Sequence, residues 1–148
     1  MSTTDNNIEI KEVKESSEDI YKNIQGLLFQ LTSAEISFSI TNLERIVASH
    51  NSFLFAAYDK NKIVAILTLV IIDIPTGMLA RIEDVVVDKA ARGKGIGEAI
   101  TLAAIDKTKE LGIGKIDLTS NPKRDGANRL YQKLGFKQRA TNVYRFEV

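Results

Sequence analysis

The 148-residue chain contains no cysteine and one histidine, His50. The first absence excludes disulfides, thiolate metal sites and cysteine nucleophiles, and fits a reducing cytoplasm, the expected location. The second argues against a multi-histidine metal centre or a histidine-based triad, so no metal is expected. His50 falls at the end of a predicted helix, where a cation favours the helix dipole. Net charge is also lacking: 20 basic residues stand against 19 acidic ones, for +1 at pH 7. That balance gives no general attraction to nucleic acid or to an anionic membrane, and neither is expected as a partner. The most apolar run, "IVAILTLVIIDI" (63–74), is shorter than the roughly 20 residues a membrane-spanning helix needs, and its β-branched residues favour a buried strand. The opening "MSTTDNN" is polar and acidic, unlike a signal peptide, and reads as a frayed tail over residues 1–7. There is no internal repeat or low-complexity linker. With 44% hydrophobic and 26% charged residues, one globular domain over 1–148 is expected.

What is present reads as alternating elements. "IEIKEV" (8–13) alternates as a strand. Ser16 or Ser17 can cap a helix running to about Leu31, with Ile20, Ile24, Leu27, Leu28 and Leu31 at helical spacing. "SAEISFSI" is ambiguous. "TNLE" (41–44) has the form of a capping box, with Thr41 as the cap of a second, short helix. "SFLFAAY" and "IVAILTLVII", joined by "DKNK", form a hairpin, and after the "IPTG" turn "LARIEDVVV" (79–87) supplies the next strand. A helix begins near Gly95, with Ile96, Ile100, Ala103, Ala104 and Leu111 on one side; Lys107 shares that side and can snorkel. "GIG" (112–114) stops it, and "KIDLTS" is a short strand, completing a parallel crossover. "DGANRLYQKLGF" is a helix capped by Asp125 and stopped at Gly135. "NVYRFEV" closes the chain as a strand. The fold class is therefore α/β: a mixed, mostly antiparallel sheet with one parallel strand–helix–strand crossover, flanked by helices. A crevice is expected where the parallel pair separates, beside a helix N-terminus.

That helix N-terminus carries the most informative run, "ARGKGIGEAI" (91–100). Glycine at alternate positions suits neither helix nor strand, but Gly93, Gly95 and Gly97 let an anion approach unpaired amides with no Cβ in the way. Arg92 and Lys94 add charge, so the run calls for a phosphate, best a pyrophosphate spread over several amides. A Walker loop, Gly-x-x-x-x-Gly-Lys-Ser/Thr, is absent. A dinucleotide fingerprint fails from either start, since its third position falls on Glu98 or Ile100, although Asp117 stands where a ribose-binding acid would.

"RGKGIG" (92–97) has instead the form Arg/Gln-x-x-Gly-x-Gly/Ala. With "IEDVVV" before it and "KIDLTSN" and "ANRLYQKLGF" after it, it resembles the core of the GNAT superfamily of N-acetyltransferases over roughly 79–148. The resemblance implies acetyl-CoA as co-substrate and transfer of its acetyl group to an amine. It implies that the loop amides, Ile96 among them, hold the pyrophosphate, and that the strand edge at Val85, Val86 and Val87 pairs with the pantetheine arm as an added strand. By the same similarity Asn128 bonds the pantetheine or phosphate region, and Asn121 follows the strand that splays away; turn or cap duty is the alternative for both. Lys123 and Arg124 are either phosphate contacts or a solvated pair.

The chemistry then needs two proton carriers. An alkyl amine of pKa near 10.4 is protonated at pH 7, and freeing it costs roughly 4–5 kcal/mol, so a base helps. The departing thiolate benefits from an acid. Tyr131 matches the tyrosine of the family's "N…LYxKLGF" pattern, which in many members faces the sulfur; the alternative is core packing on a stripe with Ala127, Leu130 and Leu134. Glu83 is the candidate base. Alternation puts Asp84 on the opposite face, so that only one of the two lines the acceptor pocket; an ion pair with Arg81 is the alternative role for Glu83. Direct attack with no acyl-enzyme suits a cysteine-free chain. The Glu-Asp pair also resembles the glucosamine-6-phosphate N-acetyltransferase branch, whereas "DIPTGMLA" does not match that branch's sugar-binding region. The acceptor is thus a small-molecule amine or a protein lysine or N-terminal amine, with a non-catalytic acyl-CoA-binding module as the remaining alternative. Its specificity is expected to lie in Ser33–Ser39 and the adjacent helices. Family habit adds a homodimer paired through "NVYRFEV".

Overall fold

The computed structural model describes residues 7–148; the expected frayed tail lies, but for Asn7, outside the described residues. Five strands form one sheet in chain order: β1 (Ile8–Glu12), β2 (Ser52–Asp59), β3 (Lys62–Ile74), β4 (Gly77–Val87) and β5 (Ile116–Asp117). The first four pair antiparallel, and β5 joins β4 in parallel through Ala80–Ile116 and Arg81–Asp117. Helices α1 (Glu18–Leu31) and α2 (Ile40–Ala48) precede β2, α3 (Ile96–Glu110) makes the crossover to β5, and α4 (Asp125–Lys133) follows. The expected mixed α/β architecture is the one observed.

Two apolar clusters flank the sheet. One gathers Ile24, Leu27 and Leu28 of α1 and Leu43 of α2 beneath Leu54 and Ile66. The other sets Ile96, Ile100 and Ala104 of α3 against Phe55, Leu67, Leu69 and Ile82. Because β3 is covered on both faces, its sequence is a near-continuous apolar run rather than an alternating one. On α3 the buried stripe includes Thr101 and Thr108, and Leu111, expected inward, is 41% exposed. The threonines are tolerated there because each hydroxyl donates to a carbonyl one turn back, Gly97 at 2.7 Å and Ala104 at 2.8 Å. The Nζ of Lys107 lies 4.9 Å from the centre of the Phe53 ring, a cation over an aromatic face.

Three local expectations are corrected. The cap of α2 is Ser39, not Thr41: its hydroxyl accepts from the Asn42 amide while Asn42 Oδ1 accepts from the Ser39 amide, so asparagine closes the box and Thr41 sits inside the helix. Asp125 is the first residue of α4 rather than its cap, a position held by Arg124 without a side-chain hydrogen bond. Among the described residues, "NVYRFEV" forms no strand; all of 137–148 is exposed and joins no ladder.

Candidate active site

The site originates in an irregularity of β4. Thr68 faces Glu83 and Ile66 faces Val86, so a single residue of β3 stands opposite both Asp84 and Val85. This is a β-bulge, and it holds Asp84 at φ +51°, a left-handed conformation that aspartate tolerates better than most residues. A bulge bends its strand. Pairing with β5 ends at Arg81, leaving the Val85–Val87 edge unpaired on that side and opening the expected crevice.

Directly after β4, Asp88 caps a 3-10 turn over Lys89–Ala91 by accepting from the Ala90 amide at 3.1 Å. The chain then passes Gly93 (φ +80°) and Gly95 (φ +76°) into α3, with Gly95 as the cap residue. Nothing lies within 4 Å of where a Cβ would stand at either glycine, so both give the loop its left-handed turns and leave open space above its backbone. Gly97 serves differently. A Cβ there would meet Leu130 Cδ2 at 3.3 Å and Val87 Cγ2 at 3.8 Å, so this glycine lets α3, α4 and β4 close together.

A cavity of about 500 Å³ runs over this loop, lined by Val85–Val87, Arg92, Gly93, Gly95, Ile96 and Gly97, with the far wall from α4 and the end of α1. It brings together most of the expected cofactor residues. Arg92 Nε donates to the Val87 carbonyl at 3.2 Å, laying its charge across the end of β4. Lys94 lies on the loop but outside the cavity wall. Asn121 and Asn128 also lie outside it: Asn128 Nδ2 donates to the Asn121 carbonyl at 2.9 Å and Asn121 Oδ1 accepts from the Lys123 amide at 2.9 Å, bracing the entry to α4.

A second cavity, of about 260 Å³, adjoins the first and shares Leu31, Val85, Arg124 and Tyr131 with it. Both Glu83 and Asp84 line it. The expectation that only one could do so fails because the bulge interrupts the alternation on which it rested. Glu83 makes a close ion pair with Arg81, the alternative role named for it from the sequence. Asp84 keeps much of its surface open to solvent, yet the packing around its carboxyl, and then the charge of Glu83, raise its pKa above the usual 3.8. Tyr131 is 7% exposed and meets Phe136 edge-on at 5.8 Å. Burial raises its pKa above 10.0 against the opposing pull of Arg124, so its hydroxyl stays protonated at neutral pH.

The sequence reading did not single out Gln30, Leu31 and Thr32. The last turn of α1 supplies Gln30 and Leu31 to the first cavity and Leu31 and Thr32 to the second. Gln30 also ties α1 to the loop, its Oε1 accepting from the Lys89 amide at 2.9 Å. Ser33–Ser39, expected to carry acceptor specificity, do not line this second cavity. Arg124 faces both cavities, unlike Lys123. Among the described residues no cluster of histidine or carboxylate side chains could hold a metal, and no helix is long and apolar enough to cross a membrane.

The profile of the Acetyltransferase (GNAT) family matches residues 18–136. The chain belongs to that family. An uncharacterized N-acetyltransferase of Bacillus subtilis (strain 168), YhdJ, is 32% identical over 71% of this chain and 75% of its own length. Glucosamine 6-phosphate N-acetyltransferase 1 of Oryza sativa subsp. japonica is 35% identical over 43% of this chain; the match spans 36% of the rice enzyme. The crystal structure of a Trypanosoma brucei acetyltransferase superposes with a TM-score of 0.79 at 25% identity, covering 95% of this chain and 99% of that one.

Proposed function

We propose that this protein transfers an acetyl group from acetyl-CoA to a small-molecule primary amine, without an acyl-enzyme. The observation that carries the reading is Tyr131, a buried, protonated hydroxyl at the junction of two cavities, one over a glycine-turned helix N-terminus and the other lined by two carboxylates. The first cavity fits a pyrophosphate and its amide-rich arm. Its loop has open space where Cβ atoms would stand at Gly93 and Gly95, α3 offers its unpaired first amides, Arg92 adds charge, and the Val85–Val87 edge is free for strand-like pairing.

Bound acetyl-CoA would supply the thioester carbonyl on which an amine can act. The Glu83–Asp84 pair favours an ammonium in the second cavity; Glu83, the base expected from the sequence, is engaged by Arg81, so Asp84, its pKa raised, takes the proton directly or through water. Tyr131 holds a proton toward the junction, where a departing sulfur needs one. The modest volume of the second cavity and the presence of Arg124 beside the acids support a compact amine that also carries an anionic or polar group, rather than a protein chain.

The test is calorimetric titration with acetyl-CoA, with NADH and ATP in parallel, followed by turnover of an amine panel by wild type and Tyr131→Phe. Micromolar acetyl-CoA binding with neither control binding is expected. Tyr131→Phe should bind acetyl-CoA as wild type does while kcat falls by about 10²–10⁴-fold. Binding without turnover of any amine, unaltered in the variant, would mark a sensing module instead; turnover of peptides alone would move the acceptor to protein amines.

A further inference from the structure

The strand edge that faces the larger cavity is open but for one contact. The Asp88 amide donates to the Val64 carbonyl at 2.8 Å, and Val87 stands opposite Ala65. In an antiparallel ladder this bond pattern makes Val87 and Ala65 a non-hydrogen-bonded pair, so the amide and carbonyl of Val87 point away from β3. They point to the side from which β5 has already parted, its pairing with β4 having ended at Arg81. Val87 is therefore the last rung of β4 that a ligand laid along this edge can use. Its carbonyl is occupied: Arg92 Nε donates to it at 3.2 Å.

The cation that covers this rung has a second place to go. Arg92 lines the larger cavity beside Gly93, Gly95 and Ile96, the stretch whose geometry fits a pyrophosphate. It is exposed, and among the described residues it has no ion-pair partner. A hydrogen bond from an exposed side chain is worth little net, because water competes for both groups. A phosphate offers the same guanidinium an opposite charge and two parallel bonds, and wins the competition.

We propose that Arg92 selects the carrier of the thioester, covering the Val87 carbonyl until an arm that ends in phosphate draws it away. This selection rests on the proposed acetyl-CoA binding, under which the exchange is balanced. The guanidinium gives up a carbonyl and gains a phosphate. The carbonyl gives up the guanidinium and gains an amide of the pantetheine arm. A thioester on an arm without phosphate offers only the second half of that exchange, and must compete with a cation for its acceptor. Phosphate binding and arm binding are then coupled, each strengthening the other by the same factor.

Calorimetry with the whole ligand and with its phosphate-free part tests this without turnover. Acetyl-CoA and S-acetylpantetheine are titrated into wild type and Arg92→Met, with a thermal melt to show that both are folded. Arg92→Met is expected to bind S-acetylpantetheine about 3–10-fold more tightly than wild type does, the weight of one hydrogen bond no longer in the way. It should bind acetyl-CoA about tenfold more weakly, for want of the phosphate contact. Inorganic pyrophosphate should tighten S-acetylpantetheine on wild type and leave the variant unmoved. The opposite signs are the signature, since a residue that only braces the loop or only holds phosphate cannot tighten the fragment when it is lost. S-acetylpantetheine bound no more tightly by the variant, or unaffected by pyrophosphate on wild type, overturns the selection while acetyl-CoA binding stands. Wild type that does not bind acetyl-CoA overturns the underlying reading, and the selection with it.

Discussion

Glu83 and Asp84 share a cavity but not a condition. Glu83 is held by Arg81, whereas Asp84 has no ion-pair partner among the described residues and is perched at φ +51° with its pKa raised by burial and by Glu83. A base must be ionised to act, so raising its pKa moves the acid limb of activity upward from the usual 3.8 toward neutrality. Asp84→Asn is therefore expected to lower kcat by about 10²–10⁴-fold and to remove that limb from the kcat–pH profile. Glu83→Gln, which loses a carboxylate already spoken for by Arg81, should cost less and keep the limb. Profiles measured on one amine, whose own titration is common to all three proteins, decide it; a larger loss in Glu83→Gln returns the base role to Glu83. Tyr131 could be found in the sequence because helical spacing placed it on an inward stripe beside a family motif. The presence of Asp84 in the same cavity as Glu83 could not, because the bulge beside it is set by pairing with β3 and leaves no local signature.

The glycine run shows how one element can satisfy two demands. At Gly95 the demand is conformational, since φ +76° costs an alanine about 1–2 kcal/mol, and under the proposed acetyl-CoA binding it is also functional, because the added Cβ intrudes on the open space above the loop. At Gly97 the demand is packing against Leu130 and Val87. Gly95→Ala is thus expected to weaken acetyl-CoA binding more than its stability loss would suggest. Gly97→Val should lose about 1–3 kcal/mol of stability through overpacking. Chemical denaturation beside calorimetry separates the two; equal weakening of binding per unit of lost stability would refute the division. The sequence reading treated all three glycines as phosphate cradle because spacing along the chain does not reveal what α4 brings up from thirty-odd positions away. Its misplaced cap for α2 has a similar origin: Thr41–Glu44 and Ser39–Asn42 both have capping residues at the right separation, and only the observed helix start at Ile40 selects between them.

Asp88 links this loop to the fold. It caps the 3-10 turn, with Gln30 Nε2 at 3.4 Å and Lys62 Nζ at 3.8 Å from its carboxylate oxygens. The Ala90 amide first, then Gln30 and Lys62, lower its pKa below 3.8 against a smaller opposing effect of burial. A depressed folded-state pKa contributes stability that is present above the unfolded value and is lost as pH falls through the folded one. Asp88→Ala should accordingly destabilise the protein by about 1 kcal/mol at neutral pH. The gap from wild type should narrow as the solution is acidified below 3.8. A difference independent of pH would assign the loss to packing rather than to the charge.

At the scale of the whole molecule, the antiparallel run of β2, β3 and β4 and the parallel crossover to β5 could be read from alternation, turns and one intervening helix, since those signals are local, whereas, among the described residues, the closing strand read in "NVYRFEV" is not formed. The meeting of α1 with the glycine loop could not be read, because Gln30 and Lys89 are joined only once β2, β3 and β4 have formed between them. This convergence has a thermodynamic consequence. A ligand filling the larger cavity touches the end of α1, the β4 edge, the start of α3 and α4 together, so it binds the folded chain and has no equivalent site on the unfolded one. At a hundredfold excess over Kd, linkage adds about 2.7 kcal/mol, which for a domain of this size raises Tm by roughly 5–10 °C. Acetyl-CoA is expected to give that shift in a thermal melt, NADH and ATP to give none, and Gly95→Ala to give a smaller one at the same concentration. A Tm unmoved by acetyl-CoA would mean that the cavity, whatever its shape, does not hold it.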